Sequence, residues 1–263
     1  EVDGELVAAC AEGIGLRDGH DCLIARTSDE WVTAIMRLYD DVELWEKLSD
    51  RFIQRDVVGA YSLLAEPYGA PDTATRDVMY DLLVKAIRDR GDDHLCIIHD
   101  GFMGMESLPE PDSMGWDNVV YSTHVFEWTT KDLAGYSLLR QIYGMAWTEA
   151  QEQQNVPYYI GSFSTFYDEG WAYEAAALLV DWYESSGWSW SLWTYKRMDD
   201  PESTAAFGIT TSWGLRRDPK GIFQRPDPYL DDFDTLKARF LAYSDLELAP
   251  NQDLLEALKH PGD

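Results

Sequence analysis

Residues Leu63-Leu64-Ala65-Glu66-Pro67 close a short apolar run on a carboxylate, with a proline fixing the backbone just behind it. An acid at such a place can hand a proton to a leaving group or take one from an attacking group. Four further apolar runs end in the same way, in Asp100, His124, Ser162 and Trp193. No metal-ligand spacing accompanies them: His94 and His99 flank one strand and fall on opposite faces. No phosphate loop does either, because Gly101 and Gly104 are not followed by Lys-Ser/Thr. Neither a metal nor another cofactor is expected.

The elements that would carry these residues alternate. Apolar residues at helical spacing run from 30 to 54, and a strand-length run VVGAYSLL follows, ended by Glu66-Pro67. Helical periodicity returns from Asp77 to Arg90, then a strand from His94 to His99 and a strand from Asn118 to His124. A helix from about Leu133 to Gln153, a strand from Val156 to Phe163, a helix from about Trp171 to Ser185 and the run GWSWSLWTY complete the pattern. This alternation predicts βαβ units and a parallel sheet. In a closed parallel barrel the carboxyl ends of the strands are where active sites are built. Glu66, Asp100, His124, Ser162 and Trp193 would all stand on that face.

Composition narrows the partners. With 263 residues, 45% hydrophobic and 26% charged, the chain has enough apolar material for one large domain or two small ones. It carries 48 Asp and Glu against 21 Lys and Arg, a formal charge of -27. Such a surface repels phosphate backbones, so nucleic acid is excluded as an expected partner. The even scatter of acids reads as a solvated surface, with adaptation to high salt as the sharper reading. No apolar run is long enough to span a bilayer. The three cysteines allow one bridge at most and form no CxxC pair. Eleven Trp and fifteen Tyr are the outlier. Their faces pack in cores and also stack on sugar rings, and Trp116, Trp128, Trp147 and Trp171 are candidate platforms as much as core.

The ordered series Leu-Leu-Ala-Glu-Pro, His-Asp-Gly-Phe, Tyr-Ser-Thr-His-Val-Phe, Tyr-Ile-Gly-Ser-Phe-Ser and Gly-Trp-Ser-Trp-Ser-Leu-Trp-Thr-Tyr-Lys resembles glycoside hydrolase family 5. This is the cellulase-like group of retaining β-glycosidases, and the likeness covers roughly residues 31 to 215. It implies an α/β fold, the (β/α)8 TIM barrel, as a single catalytic domain over 1–263 that is N-terminally incomplete. The first strands are missing or not visible, since three βα units before Glu66 need more chain than precedes it. It implies a β-linked glucan, oligosaccharide or glycoside as substrate and a secreted or extracellular setting.

Carried over residue by residue, the resemblance makes Glu66 the general acid/base. His124 matches the family's sixth-strand histidine, and Phe126 stands where a tyrosine is usual. Trp193 matches the tryptophan that floors the subsite of the sugar whose bond is cut. His20 resembles a third-strand histidine, and Ala65 replaces the family's asparagine, whose amide meets the sugar's 2-hydroxyl.

The family's nucleophile is the Glu of Gly-Glu-Phe, and here that stretch is Gly161-Ser162-Phe163. Retaining hydrolysis needs two carboxylates about 5 to 5.5 Å apart, one to protonate and one to attack. A serine without an adjacent base does not replace the second. Three explanations stand side by side: a deliberate Glu→Ser replacement that leaves an inactive or glycosynthase-like form, a carbohydrate-binding pseudoenzyme, or a nucleophile relocated to Glu127, Asp168 or Glu169.

Overall fold

The computed structural model describes residues 58–127, 129–167, 169–197, 214–217, 227, 229–244 and 249–259, with isolated positions at 43, 46, 50, 52 and 53. His20 and most of the expected helix from 30 to 54 lie outside the described residues. So do Trp128 and Asp168. The chain divides into two compact units, one built from Glu1–Ser122 and Gln153–Pro157, the other from Thr123–Glu152 and Tyr158–Asp263.

Strand and helix alternate as the periodicity predicts. The order is β1 (Ala60–Ser62), α1 (Thr73–Arg88), β2 (Leu95–His99), a 3-10 turn (Met105–Ser107), α2 (Pro111–Met114), β3 (Val119–Phe126), α3 (Leu133–Gln154), β4 (Tyr158–Ser164), α4 (Gly170–Ser185) and β5 (Ser189–Leu192). These five strands form one sheet in sequence order. β1 pairs with β2, β2 with β3 and β4 with β5, each in parallel. This is the connectivity of a (β/α)-barrel scaffold. A small sheet follows, in which β6 (Lys196–Arg197) pairs in parallel with β7 (Arg216–Arg217), and β7 pairs antiparallel with β8 (Ala249–Pro250). Helices α5 (Phe233–Ser244) and α6 (Gln252–Ala257) complete the described elements.

In the first unit, α1 begins four positions earlier than its apolar stripe suggests, at Thr73 rather than Asp77. The reason is local: the Asp72 carboxylate accepts the Thr75 amide and caps the helix. The earlier start brings Arg76 into the helix, where it is fully buried. Its guanidinium donates to the Asp100 carbonyl at 2.9 Å, the Ser107 hydroxyl at 2.8 Å and the Ser107 carbonyl at 2.7 Å. Asp77 takes two more of its N–H groups. One helix residue thus ties down the loop after β2. Tyr80 does the same for the strand ends, its hydroxyl donating to the His99 carbonyl at 3.0 Å.

The core of the second unit is aromatic. Trp147 of α3 stacks on Trp182 of α4 with centroids 5.5 Å apart, and Trp188 meets both. Trp147 is 4% exposed and Trp188 3%, so each ring contributes about 1.5–3 kcal/mol of burial. The indole N–H of Trp188 donates to Gln151. Trp147 is therefore core, not a platform, and so is Trp116 in the first unit, 3% exposed with its indole N–H on Asp81.

Candidate active site

Each described candidate residue sits near or just beyond the carboxyl end of a parallel strand. In the first unit, Leu63 prolongs β1 by donating its amide to the Ile97 carbonyl, and is itself buried. The chain then turns outward: Ala65 and Glu66 are exposed and Pro67 is buried. Glu66 adopts φ 50, a left-handed backbone that a non-glycine residue rarely takes. The turn lets Pro67 anchor the loop while the Glu66 side chain reaches solvent. A Cβ on Gly101, whose φ is 68, would stand 3.4 Å from the Pro67 ring and carbonyl, so the loops after β1 and β2 pack closely.

Asp100, the polar end of β2, is 2% exposed and builds its loop. Its carboxylate accepts the amides of Phe102 at 3.1 Å and Gly104 at 3.2 Å. The ring of Phe102 meets His99 edge to face at 5.4 Å and stays 46% exposed, beside the same strand end as His99. Sequence reasoning passed over Arg76, which belongs to no apolar stripe, and met Phe102 only as the last residue of the His-Asp-Gly-Phe motif.

In the second unit, His124 and Phe126 are two apart on β3 and share a face, with ring centroids 6.0 Å apart. Phe126 meets Trp193 at 6.2 Å and Phe166 at 5.3 Å, and Phe166 meets Trp193 at 6.0 Å. Three rings from the ends of β3, β4 and β5 thus form one aromatic floor. Phe166 is 3% exposed and Trp193 43%, so the tryptophan presents an open surface over a packed base. Its own amide donates to the Phe163 carbonyl at 3.0 Å. The bond between Trp193 and Thr194 is a cis peptide.

Ser162 lies at an irregularity in β4. Tyr159 pairs with Ser189 and Ile160 with Trp190, but the next pair is Phe163 with Leu192, so the register shifts between Ile160 and Phe163. Phe163 packs edge to face on Tyr183 of α4 at 5.4 Å, so its neighbour Ser162 faces away from that helix. Without the extra residue Ser162 would follow Tyr158 and Ile160, both buried, onto the helix side. A bulge that re-aims a side chain is a recurrent device beside sites. It is pinned by hydroxyls: Ser191 donates to the Gly161 carbonyl, and Tyr159 donates to Ser191 at 2.8 Å. Tyr159 and Ser191 are site-side residues that the sequence did not disclose.

The other acids near these strand ends have local duties. Glu127 accepts the Thr129 amide at 2.8 Å and its hydroxyl. Glu169 accepts the Trp171 indole N–H at 2.7 Å. Among the described residues no grouping of His, Cys, Asp or Glu could hold a metal ion, and no described helix is long and apolar enough to cross a membrane.

Parallel strands alternating with helices, with polar and aromatic side chains at their carboxyl ends, define a (β/α)-barrel scaffold. The cellulase family, glycosyl hydrolase family 5, matches residues 18–199, and the chain belongs to it. Solved structures agree on the fold. The clostridial cellulose synthase subunit Z from Clostridioides difficile aligns with a TM-score of 0.58 at 15% identity, over 85% of this chain and 68% of that one. The endoglucanase Cel5A of Thermotoga maritima gives 0.58 at 19% identity, over 85% and 67%. A mutant form of Thermotoga maritima Cel5A in complex with cellobiose gives 0.57 at 17% identity, over 85% and 66%. The chain thus spans about two thirds of the length of these proteins. Comparison with curated protein sequences found no match.

Proposed function

We infer that the chain binds a β-linked glucan or glucoside by stacking a sugar ring on Trp193, with Glu66 in the role of acid/base and Ser162 in the place of the nucleophile. The carrying observation is the aromatic floor of Phe126, Phe166 and Trp193, which holds one exposed indole face rigid. Family membership gives the substrate class, and a polysaccharide substrate suits an extracellular setting.

In this reading a β-glycoside would receive a proton from Glu66 on its leaving oxygen, but no carboxylate stands at Ser162 to attack the anomeric carbon. The protein as it stands therefore binds such substrates and hydrolyses them slowly. An α-glycosyl fluoride bypasses the missing step. The acceptor hydroxyl attacks the anomeric carbon, the C–F bond breaks, fluoride leaves, and Glu66 takes the acceptor's proton, giving a β-linked product.

A side-by-side assay of the parent and Ser162→Glu on an aryl β-glucoside and on α-glucosyl fluoride tests this. Ser162→Glu should raise hydrolysis by several orders of magnitude, and the parent should transfer from the fluoride. Fast hydrolysis by the parent would assign the nucleophile to another acid. Binding without any gain from Ser162→Glu would make the protein a carbohydrate-binding member of its family, a reading that Ala65 favours because it lacks the amide partner for the sugar's 2-hydroxyl.

A further inference from the structure

At the register shift in β4, two residues stand where the ladder allows one. Ile160 pairs with Trp190 and Phe163 with Leu192, so Gly161 and Ser162 together face the single residue Ser191 of β5. The Ser191 hydroxyl gives its one proton to the Gly161 carbonyl, so the Tyr159 hydroxyl, 2.8 Å away, is the donor to Ser191. Tyr159 also reaches the same carbonyl at 3.4 Å. That carbonyl belongs to the peptide group joining Gly161 to Ser162. Two hydroxyls therefore converge on the peptide plane whose tilt sets the direction of the residue 162 side chain.

The hydroxyls and Ser162 share one face of the sheet. Tyr158 packs on Trp188, which meets Trp182 of α4, so by alternation Tyr159 lies on the side away from that helix. Trp190 gives its indole N–H to Glu184 of α4, which leaves Ser191 on the same side as Tyr159. Ser162 is turned there as well, because its neighbour Phe163 packs on Tyr183 of α4. Residue 162 would meet the anomeric carbon from this side, and a reacting group displaced there by about 1 Å can cost about 100-fold in rate.

We propose that Tyr159 and Ser191 are positioning residues that lock the Gly161–Ser162 peptide and so aim residue 162, a role that rests on Ser162 standing in the nucleophile's place. The pair acts whichever side chain occupies position 162. A carboxylate there must point along the line of attack. A serine must leave that line open to the fluoride of an α-glycosyl donor, which departs on the same face.

Kinetics of two reactions test it: transfer from α-glucosyl fluoride by the parent, and hydrolysis of an aryl β-glucoside by Ser162→Glu. Each is measured again with Ser191→Ala, Ser191→Thr or Tyr159→Phe added, and Tm is read for every protein. Ser191→Ala should lower kcat by roughly 10- to 100-fold in both reactions and change KM by less than about twofold. Ser191→Thr keeps the hydroxyl and should recover most of the rate. Tyr159→Phe leaves the bond from Ser191 to Gly161 in place and should cost a smaller part of kcat. A residue that only supports the fold would move Tm and leave kcat of the folded protein unchanged. Unchanged kcat in Ser191→Ala, a loss confined to KM, or equal losses in Ser191→Ala and Ser191→Thr overturns the positioning role and leaves the functional reading standing. If only one of the two reactions runs, that reaction decides. If the parent transfers nothing and Ser162→Glu hydrolyses nothing, the functional reading falls and the positioning role with it.

Discussion

The rings of Phe126 and Trp193 meet edge to face, 6.2 Å between centroids and 80° between planes. The positive edge of one ring against the negative face of the other fixes the tryptophan without covering it. Trp193→Ala should therefore lower affinity for β-glucosides by roughly thirtyfold, the equivalent of about 2 kcal/mol of buried ring surface, with little change in Tm. Phe126→Leu should keep the packing area but loosen the indole and give an intermediate loss. Calorimetry on both variants checks this, and a large drop in Tm for Trp193→Ala would mark the residue as core.

Arg76 is the fixed point of the loop after β2. Arg76→Ala would leave the carbonyls of Asp100 and Ser107 without their buried donor and should cost about 3–5 kcal/mol. Arg76→Lys should recover little, since a single ammonium does not reproduce the fork that reaches Asp100, Ser107 and Asp77 together. Urea denaturation of the two variants separates this from a charge effect, which Arg76→Lys would repair.

Tyr183 is fully buried, and its hydroxyl makes no hydrogen bond among the described residues. Burial holds its ionisation well above the ordinary tyrosine range. Tyr183→Phe keeps the ring against Phe163 and Trp188 and removes the desolvated oxygen. It should raise stability by about 1 kcal/mol, and a clear fall in Tm would reveal a partner for the hydroxyl.

Cys96 is buried in β2 with a free thiol, and burial pushes its pKa up to about 11 from the ordinary 9.0. A raised pKa means that the folded state keeps a proton which the unfolded chain gives up. The stability linked to it is complete below pH about 9 and is lost as the pH climbs through about 11, by roughly 2–3 kcal/mol. Cys96→Ala should flatten that alkaline fall in the urea midpoint. Thiol reagents should label Cys96 in the native parent only at the rate of unfolding.

The alternation of apolar runs and helical stripes was enough to place β2, β3, β4, α3 and α4 within a few residues, because burial on a parallel sheet writes itself as period. Motif order was enough to point to the family, and with it to a carbohydrate ligand. What periodicity does not carry is any position where local bonding overrides it. The Asp72 cap moved the start of α1 and so brought Arg76 into the core. The register shift in β4 turned Ser162 off the helix side, although strict alternation from Ile160 would have sent it there. Composition likewise counted the tryptophans but could not sort them. Trp147 and Trp193 come from similar aromatic stretches, yet one is stacked between helices and the other lies open on a ring floor. That difference depends on which neighbours surround each ring, and neighbours distant in sequence exist only once the chain has folded.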